Sequence, residues 1–230
     1  MIKTSAELKH SWEVSPRQAI QIQERLRAGV ILAKGFRELT RIGGADVAYR
    51  RENNRLYAVV AVFDYQTMSP LEEAYAKGSA HFPYIPGLLT FREGPVVLEA
   101  FRQLRTRPDL ILFDGQGIAH PRRMGLATHM GLLLNIPTVG CAKKPLRVQF
   151  QTPGLKRGSA TRMMAGEEQV GVVVRTRDGV KPVYVSPGHL VDVASSVRVV
   201  LATGRGYRLP EPTRLAHLKV TEFKKADPGS

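Results

Sequence analysis

Three acidic side chains stand where a folded chain would find a charge costly to bury. Asp46 follows Gly43-Gly44-Ala45 in a stretch that reads as a β-strand, and Asp114 ends the apolar run Leu110–Phe113. A carboxylate at either place needs something to compensate its charge. If the two strands are neighbours, their carboxyl ends can hold one hard cation between them. Mg²⁺ suits such a pair, because it takes one or two carboxylates, keeps waters and accepts phosphate oxygens. The competing reading makes Asp46 a turn acid and Asp114 the start of an Asx turn with Gly115. Glu93 is the third candidate acid. Thr90-Phe91-Arg92-Glu93 also has the spacing of a helix capping box, with Glu93 at its third helical position.

Two loops carry groups suited to nucleic acid. Asp114-Gly115-Gln116-Gly117 leads into His120-Pro121-Arg122-Arg123. Glycine there lets backbone come close to a ligand, and the arginines could clamp phosphate. A solvated basic loop before a helix would look the same. Lys143-Lys144, after a further strand, carries the same message more weakly. Pro83-Tyr84-Ile85-Pro86-Gly87 is stiffened by two prolines. Such a loop can push Tyr84 and Ile85 into a base stack, or it can bury Tyr84 as a packed turn residue. His129, His189 and His217 are scattered, and each alone reads as structural. A Walker loop, a nucleophile elbow, a full dinucleotide fingerprint and a Cys/His metal cluster are all missing.

The elements that must position these residues follow from patterning. Ser15-Pro16-Arg17-Gln18 opens a helix as a capping box, and Ile20, Leu26, Val30 and Ile31 give it an apolar face. Strands are expected at Arg41–Tyr49, Arg55–Tyr65 and Leu71–Ala80, with connections short enough for an antiparallel meander. A helix over Phe91–Thr106, the strand Leu110–Phe113, a helix over Met124–Leu134 and a strand over Thr138–Ala142 come next. Val170–Thr176 and Val183–Ser186 read as a hairpin, Leu190–Ala202 as an amphipathic helix, and Pro212–Lys224 as a short closing helix. The segment 151–166 is basic and rich in small residues, and reads as a loop or flap. This order predicts an α/β fold, a mixed sheet with helices on both faces. No linker divides it, so residues 1–230 are expected to form one domain.

The composition sets the bounds. Thirty-four Lys and Arg face twenty Asp and Glu, a net charge of +14. Such a surface attracts polyanions, although anionic membranes and acidic partners also satisfy the charge alone. The lone Cys141 forbids a disulfide within the chain and fits a reducing compartment. Met1 to His10 has charges and no apolar stretch, so no signal peptide is expected. The longest clean apolar run, Leu56–Phe63, is too short to cross a bilayer. A cytoplasmic protein that binds no membrane is the expectation.

Taken together, Gly44-Ala45-Asp46-Val47, the block from Pro83 through Phe91-Arg92-Glu93, Asp114–Arg123, Gly140-Cys141-Ala142-Lys143-Lys144, Gly188-His189 and Arg208–Arg214 resemble the endonuclease V family, in order and over nearly the whole chain. The resemblance implies a ribonuclease H-like fold. It makes Asp46 and Asp114 the metal ligands and Glu93 the third active-site acid. Tyr84 becomes the wedge within the Pro83, Tyr84, Ile85, Pro86, Gly87 loop. Lys143 becomes a phosphate contact, and His217 an active-site histidine whose position varies among relatives. Gly115, Gly117, His120 and Arg122 fall to nucleic-acid binding, while Gln116 receives no catalytic part. The implied reaction is Mg²⁺-dependent hydrolysis, with Mn²⁺ as a substitute, of the second phosphodiester bond 3′ to deoxyinosine in DNA. It leaves a 3′-hydroxyl and a 5′-phosphate, and the implied enzyme is monomeric. RNA containing inosine is the alternative substrate. A binding module that has lost cutting is a different class of reading, and the presence of all three acids argues against it.

Overall fold

The computed structural model describes residues 10–228. The segment read as lacking a signal peptide therefore lies, except for His10, outside the described residues. Helix α1 (Pro16–Arg27) begins as expected, with Ser15 and Gln18 exchanging the two hydrogen bonds of a capping box. It buries Ala19, Gln23 and Leu26, one stripe at helical spacing. It also stops earlier than its apolar pattern suggested. The Gly29 N–H turns back to the Leu26 carbonyl, so Val30 and Ile31 fall outside the helix and Ile31 is 51% exposed.

Strands β1 (Arg41–Arg50), β2 (Arg55–Asp64) and β3 (Pro70–Ser79) form the antiparallel meander. Residues Leu56 to Phe63 of β2 are all buried, which explains an unbroken apolar run where a one-sided strand would alternate. Helix α2 (Leu89–Gln103) then crosses over, and β4 (Leu110–Phe113) pairs parallel to β1. Helix α3 (Leu126–Leu134) leads to β5 (Thr138–Ala142), parallel to β4. Strands β6 (Gln149–Phe150), β7 (Ala160–Ala165), β8 (Glu168–Val174) and β9 (Val183–His189) extend the sheet antiparallel, in the order β3-β2-β1-β4-β5-β9-β8-β7-β6. Helices α4 (Val193–Ala202) and α5 (Glu211–Ala226) complete the chain.

Helices cover both faces. Val97 and Phe101 of α2 and Met130 of α3 pack on Val60 and Val62 from one side. Val200 of α4 and Val220 of α5 pack on Val59, Phe63 and Leu112 from the other. The mixed α/β architecture is therefore the one expected. Further elements differ, and strand β6 was not expected at all. Part of the supposed flap at 151–166 is strand β7, because Met163 is buried under β8 while glycines at positive φ (Gly158 and Gly166) turn the chain on either side. Helix α5, expected to be short, runs 16 residues. Among the described residues no helix is long and apolar enough to cross a membrane.

Candidate active site

Parallel pairing sets Ala45 of β1 beside Phe113 of β4, so the residues that follow, Asp46 within β1 and Asp114 just past β4, are brought together. Asp46 is inside β1 and is not a turn acid. The third member of the group arrives from α5. Gly44 makes this possible, because a Cβ there would lie 2.1 Å from the Pro212 carbonyl oxygen. The helix start thus rests on bare β1 backbone, and His217 Nδ1 meets Asp46 Oδ2 at 2.7 Å. Ligand atoms of Asp46, Asp114 and His217 all lie within 4.8 Å of one another. Lys143, just past β5, forms an ion pair with Asp114.

Glu93 does not cap a helix. Helix α2 starts at Leu89, with Leu88 at the cap position and no side-chain cap, so Glu93 lies beyond the first turn. It stands outside the tight group but feels it. Burial, and then the charge of Asp46, push its carboxyl up to about 8. Asp46 is likewise raised above the ordinary carboxylate range by burial and by Asp114, against the lowering effect of the His217 hydrogen bond. Carboxylates gathered in this way form a concentrated negative site. Oxygen donors from Asp46 and Asp114 with one imidazole fit a hard divalent cation, and Mg²⁺ is among those such a set would hold.

Beside this group lies the proline loop. Phe82, Leu88 and Phe91 are buried together with Ile85 packed against them, which anchors both ends. Gly87, at φ +83, turns its carbonyl inward, a conformation only glycine adopts freely. That oxygen accepts from Gln23 Nε2 at 3.0 Å, His120 Nε2 at 3.0 Å and the Arg122 guanidinium at 2.8 Å. Tyr84 is left at the tip, 70% exposed, flanked by exposed Pro83 and Pro86. It is not a packed turn residue.

Several residues expected at a nucleic-acid surface face inward. His120 is buried, and its Nδ1 accepts from the Arg122 N–H while Nε2 serves Gly87. Burial and the Arg122 charge lower its pKa to about 4, so it is a neutral strut. Arg122 also donates to Gln23, and Arg123 pairs with Glu168. Both guanidiniums are held by acceptors of the protein itself in this structure. Gly115 and Gly117 follow Asp114, but their N–H groups are taken by Phe113 O and Ser186 Oγ. His129 and His189 pack in the interior.

A cavity of about 50 Å³ opens between Gly87, Leu89, Thr90, Gln116, Leu126 and Leu146. Gln116, passed over in the sequence, forms part of its wall. Its Nε2 donates to the Lys144 carbonyl, which fixes the amide's orientation, and its buried Oε1 has no partner. Two other residues escaped sequence reasoning. Gln23 is a polar side chain on the buried stripe of α1, four residues after Ala19, and that misplacement was its only signal. Arg208 holds the Lys143 carbonyl at 2.7 Å, which nothing local in the sequence indicates.

The family model described as Endonuclease V matches residues 24–218. An endonuclease V of Methanothrix thermoacetophila is 46% identical over 91% of this chain and 92% of its own. The crystal structure of endonuclease V from Streptomyces avermitilis superposes with a TM-score of 0.89 at 43% identity, covering 94% of this chain and 95% of that one. The endonuclease V of Ciona intestinalis, crystallised with a 24mer DNA containing an inosine followed by a ribo-adenosine, has a TM-score of 0.82 at 25% identity, covering 92% and 98%.

Proposed function

This chain belongs to the endonuclease V family, and from that premise we propose that it is a Mg²⁺-dependent repair nuclease acting on deoxyinosine in DNA. It cuts the second phosphodiester bond 3′ to the lesion, leaves a 3′-hydroxyl and a 5′-phosphate, and works as a monomeric single domain in the cytoplasm. Mn²⁺ substitutes for Mg²⁺. The observation that carries this reading is the meeting of Asp46, Asp114 and His217 within 4.8 Å, beside Glu93.

The residues divide the work by position. Tyr84, exposed on a stiff loop, enters the stack next to the lesion. Inosine lacks the exocyclic amine of adenine, pairs weakly and leaves the stack at lower cost. The cavity beside Gly87 is smaller than a purine, so Leu146 and the proline loop must part to admit the base. Gln116 Oε1 is an acceptor without a donor. Inosine offers a donor at N1 where adenine offers an acceptor, so this oxygen favours the deaminated base.

Asp46 and Asp114 would hold the cation, which would supply the positive charge that phosphate oxygens need as the bond breaks. His217 orients the Asp46 carboxylate through its 2.7 Å hydrogen bond. Lys143 is placed to neutralise charge developing on the phosphate. The decisive experiment incubates a singly labelled duplex carrying one deoxyinosine, with and without Mg²⁺, and maps the cut. A Mg²⁺-dependent nick immediately 3′ of the lesion's 3′ neighbour is the expected result. The ribo-adenosine beside inosine in the Ciona complex makes RNA the second reading. Matched strands decide it, and cutting confined to RNA would overturn the DNA assignment.

A further inference from the structure

From Gly115 to Gly166 the chain contains no Asp or Glu. Some cations of this stretch are used internally: Arg122 on Gly87, Arg123 on Glu168, Lys143 on Asp114, Lys156 on Asp178, and Arg157 on the Leu201 carbonyl. Lys144, Arg147 and Arg162 are different. All three are exposed, and none has an acidic partner among the described residues. They flank the far end of the sheet, where β6 and β7 leave a groove of about 530 Å³ lined by Gln149, Phe150, Gln151, Thr161, Arg162 and Met164. Amides, an exposed aromatic ring and an unpaired guanidinium suit a nucleic-acid strand, with stacking for a base and charge for a phosphate.

The groove shares its foundations with the active site. The Phe150 ring rests on Tyr184 at 5.3 Å, and Tyr184 pairs with Ala142, the residue before Lys143. Met163, opposite Phe150, shares a small core with Ile118 and Ala119 of the loop that follows Asp114. Three strand steps separate β5 from β7, roughly 14 Å. A strand held at Lys143 reaches Arg162 within a few nucleotides. The order along the sheet gives the polarity. Asp46 and Asp114 sit on β1 and beyond β4, Leu146 of the base cavity follows β5, and the groove lies at β7 and β6.

We infer that this groove is a subsite for the strand on the 5′ side of the lesion, with Arg162 and Arg147 on its phosphates and Phe150 against a base. The polarity rests on the functional reading above, in which the cut falls 3′ of the base held in the cavity. The strand therefore runs from the metal group, through the cavity, to the groove in the 3′-to-5′ sense.

The test measures the affinity of the full chain for labelled inosine strands extended on only one side of the lesion, in chelator so that nothing is cut. Arg162→Glu should weaken binding roughly tenfold when the arm is 5′, and lower the salt slope by about one. It should leave binding unchanged when the arm is 3′. Arg147→Glu should behave alike, and both variants should melt with the wild type because both positions are exposed. Equal loss on both arms, loss on the 3′ arm alone, or no loss in either variant overturns the proposal. Wild-type nicking of inosine against adenine strands in Mg²⁺ is scored separately. An arm-dependent loss without inosine-directed nicking would sink the functional reading and leave the groove standing.

Discussion

At the scale of single residues, Glu93 is an acid strongly perturbed by its surroundings. Folding raises its carboxyl from 4.5 to about 8, first through burial and then through Asp46. The folded state thus keeps a proton that the unfolded chain releases across that window, so stability falls as pH rises from 4.5 towards 8. Glu93→Gln removes the effect. In chelator at about pH 8.5 that variant should be more stable than wild type by roughly 2 kcal/mol, with no measurable gain at about pH 4.5. Denaturant midpoints at the two pH values check this, and an added divalent cation should narrow the gap. A gain of equal size at both would mean that the carboxyl carries no such burden. Tyr84 sits at the opposite extreme, 70% exposed and supporting no core. Tyr84→Ala should change stability by less than about 0.5 kcal/mol, while weakening binding to inosine duplex more than to undamaged duplex. Equal weakening on both would make it an ordinary contact. Asp46 and Asp114 were legible from residue type and strand position as candidate cation ligands, but only the family resemblance set the turn reading aside. Glu93 was not, because its spacing also fits a helix cap, and only the true start of α2 separates the two readings.

At the scale of elements, the site depends on how α5 rests on β1. Gly44→Ala would put a methyl group 2.1 Å from the Pro212 carbonyl, so the helix start must lift. The expected outcome is a loss of more than about 2 kcal/mol in stability and a fall in nicking at least as large as that of His217→Ala, since both separate His217 from Asp46. Thermal melts and single-turnover rates measure the pair. A stable, fully active Gly44→Ala would show that α5 does not set the site. Strands and helices were largely readable from periodicity, whereas their exceptions were not. Helix α1 ends at a turn and not where its apolar residues end. Strand β7 was hidden because a short strand next to the sheet edge, exposed at Ala160 and Arg162 and with glycines on both sides, looks like a loop. His120 and Arg122 were read as outward-facing because a basic loop ordinarily is, and the inward Gly87 carbonyl that captures them is a tertiary feature.

At the scale of the whole molecule, a net charge of +14 should dominate its meeting with nucleic acid. Roughly five phosphate contacts would give a slope of about −4 to −5 for log affinity against log salt on undamaged duplex. The extra affinity for inosine should persist as salt rises, because a base pocket releases no counterions. A flat salt response would leave the basic surface without a role in binding. The mixed sheet was predictable from element order, whereas the meeting of β1 and β4 entered only as a condition of the shared cation. The cavity beside Gly87 was not, since its walls come from the proline loop, α3 and the segments after β4 and β5. The account depends most on Asp46 and Asp114 jointly holding a divalent cation, and calorimetric titration of Mn²⁺ into the nucleic-acid-free protein tests that directly. Saturable binding in wild type, lost in both Asp46→Ala and Asp114→Ala while each variant stays folded, is the predicted result. Unchanged cation binding by Asp114→Ala would contradict it.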